Sequence, residues 1–289
     1  MLKKYKAIFF DWDGTAVLSR KAPVDKAVEA MRPLLDAGIK LAVISGTTME
    51  NIAGGEIERY FTEKQLSNLY LGLGRGAYNY TFEGGSPCIF ESVIPSKELA
   101  LDIHRICFDI HMELKEKYDY DTDIVFSRPN YCKIDLMVSN ARGDQLFMQE
   151  NELDNLKREL ELHGISGGMN RLIELAKSIG RKYQIDVVPT CDAKYLEVGI
   201  SSKSDNVDTI LAKLLKESDI RANECSYWGD EYVGLEKGIY GSDSFMFTRA
   251  TADGDFFDVS DVAGERPEGV KVLGGGVKTF LDFLLTQGS

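Results

Sequence analysis

Several things are missing from this sequence. No two of its cysteines are spaced Cys-x-x-Cys, no apolar run approaches the ~20 residues that span a bilayer, and basic residues are in deficit. The five cysteines (Cys88, Cys107, Cys132, Cys191, Cys225) are odd in number and far apart. That argues against a disulfide framework and a structural zinc site, and it fits a reducing cytoplasm. Against 46 Asp and Glu there are 34 Lys and Arg, a formal charge of -12. Such a field repels phosphate backbones and anionic headgroups, and no dense Lys/Arg cluster offsets it, so neither nucleic acid nor membrane is an expected partner. To hold a small anion, so acidic a protein needs local positive charge, most simply from a bound divalent cation. The apolar stretch after Lys3, Lys4 and Lys6 stops at Asp11, too soon for a secretory core, and a soluble cytoplasmic protein is expected. Walker loops, Ser-centred nucleophile elbows and zinc-protease motifs do not occur.

What is present is an ordinary globular balance, 44% apolar and 28% charged, in 289 residues. That length suits one α/β core carrying an inserted lobe. Ala7-Ile8-Phe9-Phe10 is continuously apolar, as a strand buried on both faces should be. Ala27, Val28, Met31, Leu34 and Leu35 then recur at helical spacing up to Gly38, with Pro33 expected to kink or divide the helix. Lys40 to Ile44 is a second buried-strand run, which completes a βαβ unit. From Gly85 to Thr190 the pattern changes. Helical stretches (Lys97 to Lys117, Asn151 to His163, Met169 to Lys182) alternate with strand-like pieces (Ile124 to Phe126, Tyr131 to Val138, Gln184 to Val188). Tyr195 to Val198, a helix from near Ser204, and Ser226 to Trp228 read as the first sheet resuming, with Ser244 to Phe247 and Val270 to Leu273 as its last strands. The expected architecture is α/β: a doubly wound, mainly parallel sheet from residues 1–84 and 191–289, with an α/β lobe at 85–190 inserted.

Four polar clusters fall at or just beyond predicted strand ends, where open α/β sheets bind ligands: Asp11/Asp13, Ser45, Lys203 and Asp230. Each alone has an ordinary explanation as a turn, a helix cap or a surface side chain. Together they supply two carboxylates, a hydroxyl, a lysine and a further carboxylate at one edge. That is the equipment of phosphoryl transfer, in which a cation and fixed donors stabilise charge spread over phosphoryl oxygens. Other patterns carry less. Gly72-x-Gly74-x-x-Ala77 fits a dinucleotide fingerprint, but the following Tyr78 to Gly85 reads as strand and turn, not the helix that fingerprint must open. Asp119-x-Asp121-x-Asp123 lacks the Gly and Glu of a calcium loop and reads as a solvated turn. His104 and His111 lie two turns apart on one helix and read as packing or surface residues.

Phe9-Phe10-Asp11-Trp12-Asp13-Gly14-Thr15 resembles the first motif of haloacid dehalogenase-like phosphatases, and Val43-Ile44-Ser45-Gly46 the second. Tyr195-Leu196-Glu197-Val198 through Ser202-Lys203 is similar to the third, and Trp228-Gly229-Asp230-Glu231 to the fourth. The intervening lobe is similar to the large cap of the Cof-like and sugar-phosphate phosphatases. The resemblance spans essentially the whole chain. It implies a Mg²⁺-dependent phosphatase acting on a small phosphorylated metabolite, plausibly a sugar phosphate. Asp11 would be the nucleophile, Asp13 the general acid and base, and Ser45 and Lys203 would hold phosphoryl oxygens. Gly46 and Thr47 would contact substrate. The metal would rest on Asp11, Asp13 (through its carbonyl) and Asp230. A phosphomutase, or a weakly active binder of phosphometabolites, are the alternatives.

Two positions depart from the pattern. Gly234 stands where relatives carry a second Asp, leaving Glu231 or Asp243 as candidates for an additional metal ligand or for the partner of Lys203. Arg75 replaces a common Asn and reads as an exposed turn arginine, with a contact to a second anionic group of the substrate as the other reading. Arg128, Lys133, Arg142, Arg171 and Lys182 could reach substrate from the cap.

Overall fold

The computed structural model describes residues 3–126, 128, 130–139 and 151–288. The first part of the chain runs β1 (Ala7–Phe10), α1 (Asp25–Asp36), β2 (Lys40–Ser45), α2 (Glu63–Leu66), β3 (Leu69–Leu73), β4 (Tyr78–Glu83) and β5 (Ser86–Ser92). Then come α3 (Lys97–Tyr118), β6 (Asp123–Val125), β7 (Tyr131–Asp135), α4 (Glu152–Leu162), α5 (Gly168–Lys182), β8 (Thr190–Cys191) and β9 (Tyr195–Gly199). The remainder is α6 (Lys203–Ser218), β10 (Cys225–Gly229), β11 (Gly234–Glu236), β12 (Ile239–Tyr240), β13 (Asp255–Asp258), β14 (Val270–Val272) and α7 (Gly276–Gln287).

Because β1 has no polar side chain to turn outward, both its faces are covered. Ile8 and Phe10 pack with Val28, Met31 and Leu34 of α1 and Phe280 of α7, while Ala7 and Phe9 face Val207, Ile210 and Leu214 of α6. The alternation of a strand thus divides four consecutive apolar residues between two helical layers. The large sheet has the order β14-β13-β10-β1-β2-β3-β4-β5, and β1 pairs parallel with both β10 and β2. Successive connections leave β1 in opposite directions, so its carboxyl end is a switch point of the doubly wound sheet, where a crevice opens.

The second sheet, β6-β7-β9-β8, is antiparallel. Cys132, Ile134, Leu196 and Val198 pack against α3, α4 and α5 through Ile106, Ile110, Leu156, Leu172 and Ile179. Its other face carries Tyr131, Lys133, Tyr195 and Glu197.

Several expectations need correction. Tyr195–Gly199 pairs with β7 in the second sheet and does not resume the first. Its polar and apolar residues alternate, as in a half-buried antiparallel strand, whereas a strand within the parallel core reads as continuously apolar. The chain therefore returns to the large sheet after Gly199, not at 191. At the other boundary β5 extends that sheet to Ser92, beyond 84, through a hairpin turn in which Gly84 and Gly85 both have positive φ (56° and 78°). Helix α1 is continuous through Pro33, whose missing N–H removes one bond near the helix end. Gln184 to Val188 forms no strand, and Ser242–Met246 is a 3₁₀ turn where a strand was expected. The edge-side strand β13 went unread, since Asp-Phe-Phe-Asp has too few apolar residues to stand out.

Between β3 and β4 the consecutive positive φ values of Gly74, Arg75 and Gly76 (67°, 54° and 93°) reverse the chain, and no helix follows. This turn is held by Asn206 of α6, fully buried, which accepts the Gly76 N–H at 2.6 Å and donates to Tyr78 O (3.1 Å) and Asn79 Oδ1 (2.9 Å). Asn206→Ala strands buried partners and should cost about 3 kcal/mol in urea unfolding. A loss below about 1 kcal/mol would show that the turn holds without it.

Candidate active site

The first motif leaves β1 at Asp11, whose N–H donates to Trp228 O of β10 at 2.9 Å. The loop then closes on itself: Gly14 N–H donates to Val17 O (2.7 Å), and Ala16 and Val17 N–H to Trp12 O (3.0 Å each). Gly14 has φ 91°, and a Cβ there would lie 2.2 Å from Asp230 Oδ2, so only glycine lets the loop approach Asp230 this closely. Thr15 Oγ1 donates to Asp230 Oδ1 at 2.9 Å. The loop after β1 and the residue after β10 are therefore in direct contact.

Lys203 opens α6 behind the N-cap Ser202, in a capping box with Asp205. Its ammonium donates to Asp11 Oδ1 and Asp243 Oδ1, 2.7 Å each. Asp243 has no exposed surface, and its Oδ2 accepts the N–H groups of Asp230 (2.9 Å) and Glu231 (2.8 Å). Gly229 is required beneath it, because a Cβ would meet Asp243 Oδ2 at 2.3 Å. Asp243 is thus the lysine's second carboxylate, in place of the acid absent at Gly234. Glu231 accepts Ser242 Oγ–H at 2.7 Å and lines the cavity.

Burial pushes Asp11 and Asp230 well above the usual carboxylate range, and repulsion by Asp243 adds to it. Lys203 opposes the rise at Asp11, and the Thr15 hydroxyl opposes it at Asp230. Lys203 itself is held well above its ordinary value: burial disfavours the ammonium, but Asp11 and Asp243 outweigh that. Asp13 is raised by burial against the pull of Arg20, whose Nε lies 3.1 Å from Oδ2. Its other oxygen, Oδ1, is buried without a hydrogen bond.

Acidic groups thus outnumber ammonium groups here, and Oδ2 of Asp11 and of Asp230 take no hydrogen bond from a described residue. Among the described residues no three Asp, Glu, His or Cys side chains form a ready-made cage. Two carboxylates with surplus negative charge do fit Mg²⁺, which is commonly bound by one or two carboxylates plus substrate phosphate.

Asp11, Asp13, Ser45, Gly46, Thr47 and Lys203 line one cavity of about 360 Å³. Asp230 and Gly14 border a second cavity of about 320 Å³, which shares Asp192 and Glu231 with the first. Ser45 ends β2, and its Oγ accepts the Thr47 N–H at 3.3 Å. Thr47 Oγ1 is buried and has no partner. Opposite them the second sheet supplies Tyr131, Lys133, Thr190, Tyr195 and Glu197. Tyr131 OH donates across to Gly46 O at 3.3 Å.

Arg75 is not an exposed turn residue. At 4% exposure it lies against the Tyr131 ring (Cζ to centroid 4.7 Å) and 3.2 Å from Glu197. Of the cap cations, Arg128 and Lys133 line the cavity. Arg171 and Lys182 do not, and Arg142 is outside the described residues. Arg20, Tyr131 and Glu197 were missed, although the Tyr-x-Lys and Tyr-x-Glu alternation of β7 and β9 marks a polar face. His111 bonds Thr122 and His104 packs on Phe126, while Asp119 and Asp121 pair with Lys115 at the surface.

A doubly wound α/β sheet with a second, antiparallel sheet facing its switch point defines the class of protein. Among solved structures the chain is similar to IMP-bound, N-terminally truncated IMP-nucleotidase of Plasmodium falciparum (13% identity, 99% of this chain and 68% of that one, TM-score 0.57). It is also similar to the sucrose-phosphatase of Synechocystis in complex with sucrose and phosphate (12% identity, 99% and 98%, TM-score 0.54) and to a protein of Eubacterium rectale (14%, 98% of both, TM-score 0.56). No family model and no curated protein sequence matches the chain. The likeness is one of fold, and the fold is the haloacid dehalogenase-like one.

Glu197 gives this site a pH-dependent contribution to stability. Although burial works the other way, Lys133 and Arg75 hold its carboxyl down from 4.5 to about 2. A depressed folded-state value stabilises above the unfolded one and is lost as pH falls through the folded one. Glu197→Gln should therefore be less stable than the parent at neutral pH by about 3 kcal/mol, and the gap should close between about pH 4.5 and about pH 2. A gap constant with pH in urea titrations would count against the assignment.

Proposed function

We propose that the protein is a phosphoric monoester hydrolase, with Asp11 accepting the phosphoryl group. The observation that carries this reading is the buried Lys203 ammonium, 2.7 Å from both Asp11 and Asp243, in one cavity with Asp13. Asp11 Oδ2, which takes no hydrogen bond from a described residue, would attack phosphorus, and Oδ1, beside Lys203, would be left to face the metal. The departing ester oxygen takes a proton from Asp13, whose raised pKa suits a general acid. In the second half Asp13 takes a proton from water, which attacks phosphorus and releases phosphate and the Asp11 carboxylate. Lys203, the Ser45 hydroxyl and the unpartnered Thr47 hydroxyl offer donors to phosphoryl oxygens.

Mg²⁺ would be held by Asp11 and Asp230 with the main-chain carbonyl of Asp13, and would supply positive charge against the phosphoryl oxygens. The substrate we favour is a small phosphorylated metabolite of the sugar-phosphate type, because the cavity wall opposite Asp11 is polar and the space is about 360 Å³. We take the core as the large sheet with α1, α2, α6 and α7, and the cap as the segment from α3 through β9.

Phosphate release from p-nitrophenyl phosphate and a panel of metabolite phosphates, with and without Mg²⁺, tests the reading. Asp11→Asn should lose at least about a thousandfold in rate, and ¹⁸O from labelled water should appear in the product phosphate. Equal activity of the variant would refute the nucleophile; an isomeric phosphate ester formed with no labelled phosphate released would point to a mutase.

A further inference from the structure

Across the four strands of the second sheet a single row of residues, Val125, Lys133, Glu197 and Thr190, stands in register and lines the cavity. Glu197 takes two cations: Lys133 Nζ lies 2.7 Å from Oε1, and Arg75 Nη1 lies 3.2 Å from Oε2. Two cations on one carboxylate leave a positive charge in excess. Arg128 and Asp192, on the same wall, are opposite in sign and do not change that balance.

The donors are also under-used. Lys133 has a side-chain exposure of 21%, and among the described residues Glu197 is its one carboxylate partner. Arg75 is 4% exposed, and neither Nη atom makes a directed hydrogen bond, an unusual state for a buried guanidinium with five N–H groups to satisfy. Nor is the wall built to stack a base. Arg75 lies over the Tyr131 ring at 4.7 Å, and Lys133 over the Tyr195 ring at 4.9 Å. Arg75 Cγ comes within 3.5 Å of where a Cβ of Gly46 would stand, so this charge runs alongside the loop expected to hold the phosphoryl group. In a chain of net charge -12, a surplus of cations on one wall of a cavity calls for an anion there.

We infer that Lys133 and Arg75 form a subsite for a second acidic group, carboxylate or phosphate, on the part of the substrate that leaves. Lys133 makes the direct contact. Arg75, just beneath, adds charge and holds Glu197 aside. The inference rests on the phosphatase reading and narrows its substrate to esters carrying a further negative charge.

Two matched pairs of esters test it: phosphoglycerate against glycerol phosphate, and fructose bisphosphate against fructose monophosphate. The wild type should prefer the more acidic member of one pair in kcat/KM by about ten- to a hundredfold, and the responding pair tells carboxylate from phosphate. Lys133→Gln and Arg75→Gln should each lower that ratio, and Arg75→Lys should keep part of it. Because the ratio is internal to each preparation, partial unfolding does not mimic the result. No preference in the wild type, or a preference that survives both charge removals, overturns the inference.

The phosphatase reading is judged separately, by hydrolysis of p-nitrophenyl phosphate in wild type and its loss in Asp11→Asn. If no ester is turned over, calorimetric titration of Asp11→Asn with the same pairs still decides the subsite: tighter binding of the acidic member supports it, equal binding sinks it.

Discussion

One buried ammonium organises the site. Lys203 has almost no contact with solvent, so its charge is tolerated only because Asp11 and Asp243 both accept from it. These three residues come from the start of α6, the end of β1 and the 3₁₀ turn after β12. Removing one carboxylate from such a group costs on the order of 3–5 kcal/mol, because a charge is left uncompensated. The same Asp243 fixes the main chain of Asp230 and Glu231 through its second oxygen. A single side chain therefore sets both the lysine that faces Asp11 and the carboxylate that faces Gly14. The glycines at 14 and 229 follow from this, since each stands where a Cβ would collide with one of these carboxylates.

The second sheet is coupled to the first by its division into two faces. With Cys132, Ile134, Leu196 and Val198 committed to the helices, the intervening residues must point the other way, and these are Tyr131, Lys133, Tyr195 and Glu197. A polar sheet face left to water would do no more than dissolve. Here it closes over the crevice at the end of β1, and Tyr131 and Glu197 reach Gly46 just after β2 and Arg75 in the turn after β3. On the second sheet these contacts are carried by strands β7 and β9, and the turn that carries Arg75 is itself held by Asn206.

The parts legible from sequence were those in which a local pattern has one physical meaning. A four-residue apolar run such as Ala7 to Phe10 can only be buried, so a carboxylate just after it must sit at a sheet edge, and Asp11, Ser45 and Asp230 were placed on that logic. The reading failed where the same residues permit two environments. Gly-Arg-Gly usually marks an exposed turn, and nothing local to Arg75 announces that β7 and β9 will cover it. Ser-Phe-Met-Phe is apolar enough for a strand, but the turn it forms delivers Asp243 to Lys203, a contact between residues 40 apart in sequence. Tyr-Leu-Glu-Val was assigned to the wrong sheet because motif order was weighed above its alternation, which was the better signal.

The two walls of the cavity are opposite in electrostatic character. The floor gathers Asp11, Asp13 and Glu231 around Lys203, with Asp230 and Asp243 immediately behind, and negative charge is in surplus; the roof sets Lys133 and Arg75 against Glu197, and positive charge is in surplus. If the cavity held only water, neither imbalance would be fully repaired, because these side chains are buried or half-buried and charge there is screened less than in bulk water. Closing the walls directly on one another would pair them but leave no cavity. On the proposed reading, a cation on the floor and an anion under the roof would relieve both at once, and a phosphate ester with a second acidic group would supply that anion. On that reading charge alone would favour one orientation of the ligand, phosphoryl group down toward Asp11, before any contact specific to the rest of the molecule is made.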